Sequence, residues 1–224
     1  MRKDLSKTRK LAKPVKRAPQ ERGLRTRELL LQSAVNSLME NGVHGLRFSQ
    51  IAKLAGVPQP LMDYHFPSIE ALLTEMITQN IEKLKVRSIE AIEAHATKPR
   101  KAFEAYIRAP FEQCLADPGF LPVYLAYYHL ATVNKKFADF NRAIRGIGHE
   151  RFAACIVAVL NAENKAHFTV RKKLIADVAT QIQASTTGYV IVAGVETDGD
   201  FKSLADLAVK AAFQLLEVNF PDRS

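Results

Sequence analysis

Apolar residues recur at helical spacing along almost the whole chain. Between residues 21 and 41 the series Leu30, Ala34, Leu38 advances by four, with Leu31, Val35 and Met39 beside it. That spacing predicts one helix with a single buried stripe. Asn41-Gly42 is a stop signal. A short second helix is expected over 48–54, with Phe48, Ile51, Ala52 and Ala55 turned inward, followed by a turn at Gly56-Val57. A third is expected over 58–65. Its prolines, Pro58 and Pro60, are tolerated because backbone N–H groups in a first helical turn have no intrahelical partner to lose. Pro67 breaks the chain again, and Ser68 is placed to cap a long helix reaching about Ile92.

The same periodicity predicts helices near 99–116, 119–132, 135–161, 168–193 and 201–218. Lys98-Pro99, Asp117-Pro118-Gly119, Asn134 and the stretches 161–167 and 197–200 separate them. Only Tyr189 to Val192 reads like a strand, and it continues a helical run. The expected fold is therefore all-α, with no internal repeat of 20–50 residues.

With 224 residues, 47% of them hydrophobic, the chain can bury one or two cores without disulfides or metals. Its two cysteines, Cys114 and Cys155, sit inside apolar helical patterns and form no CxxC or Cys/His cluster. That usage fits reduced, buried thiols in a cytoplasmic protein, and it calls for no metal and no cofactor. No apolar run approaches the roughly 18 residues of a bilayer span. The basic N-terminus lacks the hydrophobic segment of a secretory signal, so no membrane partner is expected.

Charge changes the picture more. Residues 1–66 hold 13 Lys/Arg against 5 Asp/Glu, while 67–224 hold 19 against 18. Nearly all of the net +9 thus lies in the first third of the chain. Such asymmetry points one segment at a polyanion. Residues 1–20 carry eight Lys/Arg, two prolines and few large apolar groups, which predicts a disordered basic arm. Such an arm could follow DNA into the minor groove or simply raise nonspecific affinity. Three helices in some forty residues, the last two joined by a glycine turn, have the layout of a helix-turn-helix whose last helix enters the major groove. The expected division is an arm over 1–20, a helix-turn-helix domain over 21–67 and a helical ligand-binding and dimerisation domain over 68–224.

The stretch from Thr26 to Ile77 resembles the DNA-binding domain of TetR-type repressors. The resemblance is carried by Thr26-Arg27-Glu28, Ala34, Gly42, Ile51-Ala52, Ala55-Gly56-Val57, His65-Phe66, and Ser68 with Glu70-Ala71-Leu72-Leu73. The YLAYYHL and FADFNRAIRGIGHERF segments between Phe120 and Val159 are similar to the branch that includes BetI-like repressors of the choline pathway. The resemblance implies that Gln59, Pro60, Leu61, Asp63 and Tyr64 lie on the exposed face of the recognition helix, with Met62 and Phe66 pointing inward. Gln59 could then pair with adenine and Leu61 pack on a thymine methyl, while Arg47 and Tyr64 meet phosphate. Ser49 and His65 complete the candidate DNA-facing set, His65 by packing or by facing phosphate. Two positions depart from the usual pattern. Asp63 stands where many relatives carry Tyr, and Arg47 where a Ser/Thr cap is usual, so no operator sequence transfers.

For the second domain the resemblance implies an internal site for an unknown small-molecule effector. Phe103, Tyr106, Phe111, Tyr124, Tyr128 and His129 are candidate lining residues, with Pro110 kinking one helix. A BetI-like ligand would be a cation held by aromatic faces. The last two helices are expected to form a homodimer interface through the stripe Leu204, Ala208, Ala211, Leu215 and Val218. Such a dimer would read a palindromic operator in double-stranded DNA. The expected function is therefore a sequence-specific transcription regulator, a repressor modulated by an effector. An architectural DNA-binding protein without an effector is the alternative. An acyl transferase built on Cys114 and His129 would be an enzyme reading, but the chain offers no phosphate loop, nucleophile elbow or carboxylate cluster beside them.

Overall fold

The computed structural model describes residues 19–196 and 200–222. Among these residues the chain forms nine α-helices and no strand. They are α1 (Pro19–Asn41), α2 (Phe48–Ala55), α3 (Gln59–His65), α4 (Ile69–Glu93), α5 (Pro99–Ala116), α6 (Phe120–Val133), α7 (Lys135–Ala162), α8 (Lys172–Val195) and α9 (Phe201–Asn219). Residues 1–18 of the expected basic arm, and the expected gap at 197–199, lie outside the described residues.

Local chemistry sets most helix ends. Gly56 closes α2 at φ 66° and ψ 29°, and its N–H reaches the carbonyls of Ala52 and Lys53. A side chain would be strained in this left-handed conformation. Pro60 falls in the first turn of α3 as expected, whereas Pro58 stands just before the helix, at its N-cap, in extended backbone. The Ser68 hydroxyl accepts a 3.1 Å hydrogen bond from the Ala71 N–H and fixes the start of α4. Asn134 and Asp200 cap α7 and α9 in the same way.

Two short 3-10 turns, Val43–Gly45 and Ala166–Phe168, were not expected. The second moves the start of α8 from 168 to Lys172. Phe168 does lie in an apolar pattern, but its burial against Phe220 is achieved by the turn, closed by the Thr169 hydroxyl donating to the Ala166 carbonyl. The first turn is held by the Ser37 hydroxyl, which donates to the Gly45 carbonyl at 2.8 Å.

Apolar side chains gather in two cores. One joins α1 to α4 with Val123, Ala126, Tyr127 and Phe137 from α6 and α7. The other fills the space between α5, α7, α8 and α9, with Phe103, Ile107, Phe111, Ile156, Val178 and Ile182 at its centre. Helix α4 serves both, supplying Leu72, Leu73, Met76 and Ile77 to the first and Leu84 and Ile92 to the second. The break expected at residue 67 is thus bridged by continuous packing.

Candidate DNA-reading face and ligand cavity

Helix α3 divides sharply by face. Met62 and Phe66, four residues apart, are fully buried. Gln59, Pro60 and Asp63 are exposed, Tyr64 is 81% exposed, and Leu61 and His65 are half-buried. Arg47 and Ser49, at the start of α2, are exposed too. Arg47 occupies the N-cap position of α2 without a side-chain capping bond, so its guanidinium is not spent on the helix end.

Sequence reading gave no role to the Arg27 side chain, which fixes how this face is presented. Its guanidinium forms a forked pair with Glu75 of α4, donates to the His65 carbonyl at the end of α3, and lies 4.3 Å from the centre of the Phe66 ring. One side chain of α1 thereby ties α3 to α4. On the opposite side α1 rests on the start of α6. A Cβ built on Gly119 would stand 2.5 Å from Val35 Cγ1, so this approach needs glycine.

Behind α4 and α6 lies a cavity of about 170 Å³. The candidates Tyr106, Tyr124 and Tyr128 line it, and so does Pro110. Phe103 and Phe111 do not; both are wholly buried in the apolar core, Phe103 edge-on to Phe152 and Phe213. His129 is exposed on the outer side of α6. Helical spacing places residues on an inner face but does not say which of them meet a void and which meet another side chain.

The polar walls come mainly from α7 and α8, which sequence reading passed over. Arg145 Nη1 donates to the Tyr128 hydroxyl at 3.0 Å, and that hydroxyl is 3.2 Å from the hydroxyl of Tyr124. Gln183 bonds the Arg145 carbonyl, and Tyr106 donates to the Gly148 carbonyl at 3.3 Å. Arg151 also lines the cavity. Burial pushes the Tyr106 hydroxyl up to about 12 although the nearby Arg151 charge pulls it the other way. Burial likewise raises Tyr124 and Tyr127 well above the usual phenol range. All three are therefore neutral hydroxyls near pH 7. Two buried polar atoms of the wall, Tyr127 Oη and Thr186 Oγ1, have no hydrogen-bond partner.

Helices α8 and α9 pack on each other and carry an outer surface. Within the expected dimer stripe, Val218 is 79% exposed and Leu204, Ala211 and Leu215 are half-buried. Ala208 is instead buried by its own chain, as is its neighbour Ala212, because that face of α9 completes the second core. Leu207 and Val195, not counted in the stripe, are among the exposed large apolar residues.

With this geometry in view, the family profile "Bacterial regulatory proteins, tetR family" matches residues 30–76, spanning most of α1 through the first part of α4. This segment of the chain is similar to the DNA-binding segment of that family. BetI of Rhizobium meliloti, an HTH-type transcriptional regulator, is 32% identical over 102 residues, which is 46% of this chain and 50% of that protein. The chain thus spans about half the length of this curated relative. Among solved structures, one from Pseudomonas aeruginosa PAO1 superposes with a TM-score of 0.72 at 19% identity, covering 91% of this chain and 93% of the other. One from Saccharomonospora viridis, solved in complex with choline, gives 0.65 at 20% identity over 89% and 100%. At such identities these two show a shared fold alone, extending beyond the matched N-terminal segment.

The groups of the enzyme reading are not brought together. Cys114 is buried and its thiol pushed up to about 12, largely by burial, whereas His129 is exposed, and no hydrogen bond joins them. No described helix is long and apolar enough to cross a membrane.

Proposed function

We propose that the protein is a cytoplasmic, dimeric, sequence-specific transcription regulator, a repressor that a small molecule releases from its operator. The observation that carries this reading is the two-faced helix α3. Its anchors Met62 and Phe66 are sealed in the core, while Gln59, Pro60, Asp63 and Tyr64 face outward beside Arg47. Gln59 is the side chain suited to an adenine edge, Leu61 to a thymine methyl, and Asp63 to a cytosine amino group. Arg47 and Tyr64, with Ser49 and His65 nearby, would set register on phosphate. The basic arm over 1–20 would add salt-dependent affinity. Residues 21–67 act in this reading as the DNA-binding unit and 68–224 as the effector and dimerisation unit. The exposed edge of α8 and α9 around Val195, Leu207 and Val218 would meet a second copy and set two α3 helices about one DNA turn apart.

Release follows from shared walls. Asn80 and Ile81 of α4, and Phe120 and Tyr127 of α6, line the cavity, and the same two helices hold the DNA-binding unit through Met76, Ile77, Val123 and Tyr127. Asn80 also donates to the Phe120 carbonyl, joining the two helices directly. An occupant that prefers one spacing of α4 and α6 therefore biases the position of α3, by as much as its affinities for the two states differ. The cavity favours this account over an architectural DNA-binding protein of the same fold. Selection from randomised duplexes by the full chain should recover an inverted repeat; recovery of no preferred motif would remove the regulator reading and favour the architectural one.

A further inference from the structure

The chemistry of the cavity points away from the aromatic, cation-holding site that the BetI-like resemblance implied. Among the described residues its walls contain no Asp or Glu. They contain instead the guanidinium groups of Arg145 and Arg151, neither of which forms an ion pair with any described carboxylate, and Lys85, whose ammonium is paired with Glu82. Arg145 is half-buried, and its hydrogen-bond acceptors, the Tyr128 hydroxyl and the Gln183 side-chain carbonyl oxygen, are both neutral. A guanidinium withdrawn from water without a counter-charge is costly, and an anion that accepts its parallel N–H groups relieves that cost.

A second observation is independent of the arginines. The Tyr127 hydroxyl and Thr186 Oγ1 belong to residues that line the same space, only 2% and 5% exposed, and neither atom has a hydrogen-bond partner among the described residues. Each holds a proton that needs an acceptor. A quaternary ammonium offers no acceptor and would stand against two positive charges. An anionic oxygen answers both the hydroxyls and the guanidinium. The rest of the wall, including Ile81, Leu84, Phe152 and Val190, is apolar and suits a small hydrocarbon or aromatic body.

We infer that the effector is a small organic anion, its carboxylate or phosphate oxygens held by Arg145 and Arg151 with Tyr127 and Thr186, and its apolar body against Ile81, Leu84, Phe152 and Val190. This rests on the reading of the cavity as the effector site. Arg145 is the main anchor, since its guanidinium is already oriented in the wall by the Tyr128 hydroxyl at 3.0 Å and by Gln183. The ligand's charge thus sits beside Tyr127, the residue shared with the DNA-binding core.

The test uses the full chain, thermal melting and titration calorimetry, and four matched probe sets. These are carboxylates (benzoate, phenylacetate, hexanoate), a phosphate ester (phenyl phosphate), neutral amides of the same acids, and cations (choline, benzyltrimethylammonium). At least one anion should stabilise the protein saturably, and the matching amide should bind about tenfold or more weakly. Carboxylate against phenyl phosphate decides which anionic group the site takes. Arg145→Gln should weaken the anion about tenfold or more, with Arg145→Lys, which keeps the charge but loses the fork, between it and the parent. Circular dichroism of both variants verifies that they fold. Binding by choline, lost in Tyr124→Ala, with no anion binding, would overturn the charge assignment and leave the effector site standing. Binding by none of the four sets would overturn the anion inference and remove the support for an effector site as well.

Discussion

Tyr127 is where the two halves of the account meet in one side chain. Its ring packs with Phe140 and the buried residues that support α3, while its hydroxyl lies unpartnered in the cavity wall. An unsatisfied buried hydroxyl costs roughly 1–3 kcal/mol. Tyr127→Phe should therefore leave the ligand-free protein as stable as the parent or raise its stability by about 1 kcal/mol. It should also weaken whatever ligand releases DNA. A clearly lowered melting temperature in Tyr127→Phe would show that the hydroxyl already has a partner within the chain. The cysteines give a second expectation at this scale. Burial holds the Cys114 and Cys155 thiols up at about 12 and about 11. Raised thiol values keep the sulfur protonated, so the thiolate that attacks disulfide reagents is absent until the pH climbs through those values. At pH 8 the native protein should show no fast-reacting thiol toward DTNB, and both should react in guanidinium. Rapid reaction of either in the native state would contradict their burial.

At the scale of elements, the docking of α1 on α6 sets how firmly α1 to α3 are attached to the rest of the chain. Gly119→Ala would drive a Cβ into Val35, a branched and stiff neighbour, and should destabilise the protein by about 1–3 kcal/mol. Val35→Ala in the same chain should recover part of the loss. Additive losses in the double variant, measured by urea unfolding, would show that the two residues do not compete for this space. Helix boundaries were largely legible in the sequence because caps and breakers are local: Ser68, Asn134 and Asp200 bond to N–H groups two or three residues away. The α8 start was not legible, since Phe168 is buried by a turn whose reward is a distant contact with Phe220. Periodicity likewise found the inner face of α9 but not its owner, and Ala208 belongs to the chain's own core. The cavity followed the same rule. Its tyrosines stood out, while Arg145, Arg151, Gln183 and Thr186 did not, because a charged or polar residue reads as solvated until the opposing helix is known.

Across the whole molecule, charge and shape divide the work. The basic excess is confined to the first third of the chain, which holds α1, α2 and α3. Helix α4 runs from that unit into the second core, so it contacts both the cavity and the residues that support α3. Everything downstream depends on α3 reading bases, and base preference measures that directly. Duplex selection followed by anisotropy titration should be run in parallel on the parent chain and on Gln59→Ala. The account predicts that the parent enriches an inverted repeat. It also predicts that Gln59→Ala loses preference at one base pair in each half-site, at a cost of about 1–3 kcal/mol per half-site. An unchanged motif and affinity in Gln59→Ala would contradict it, for the exposed face of α3 would then not be the surface that reads DNA.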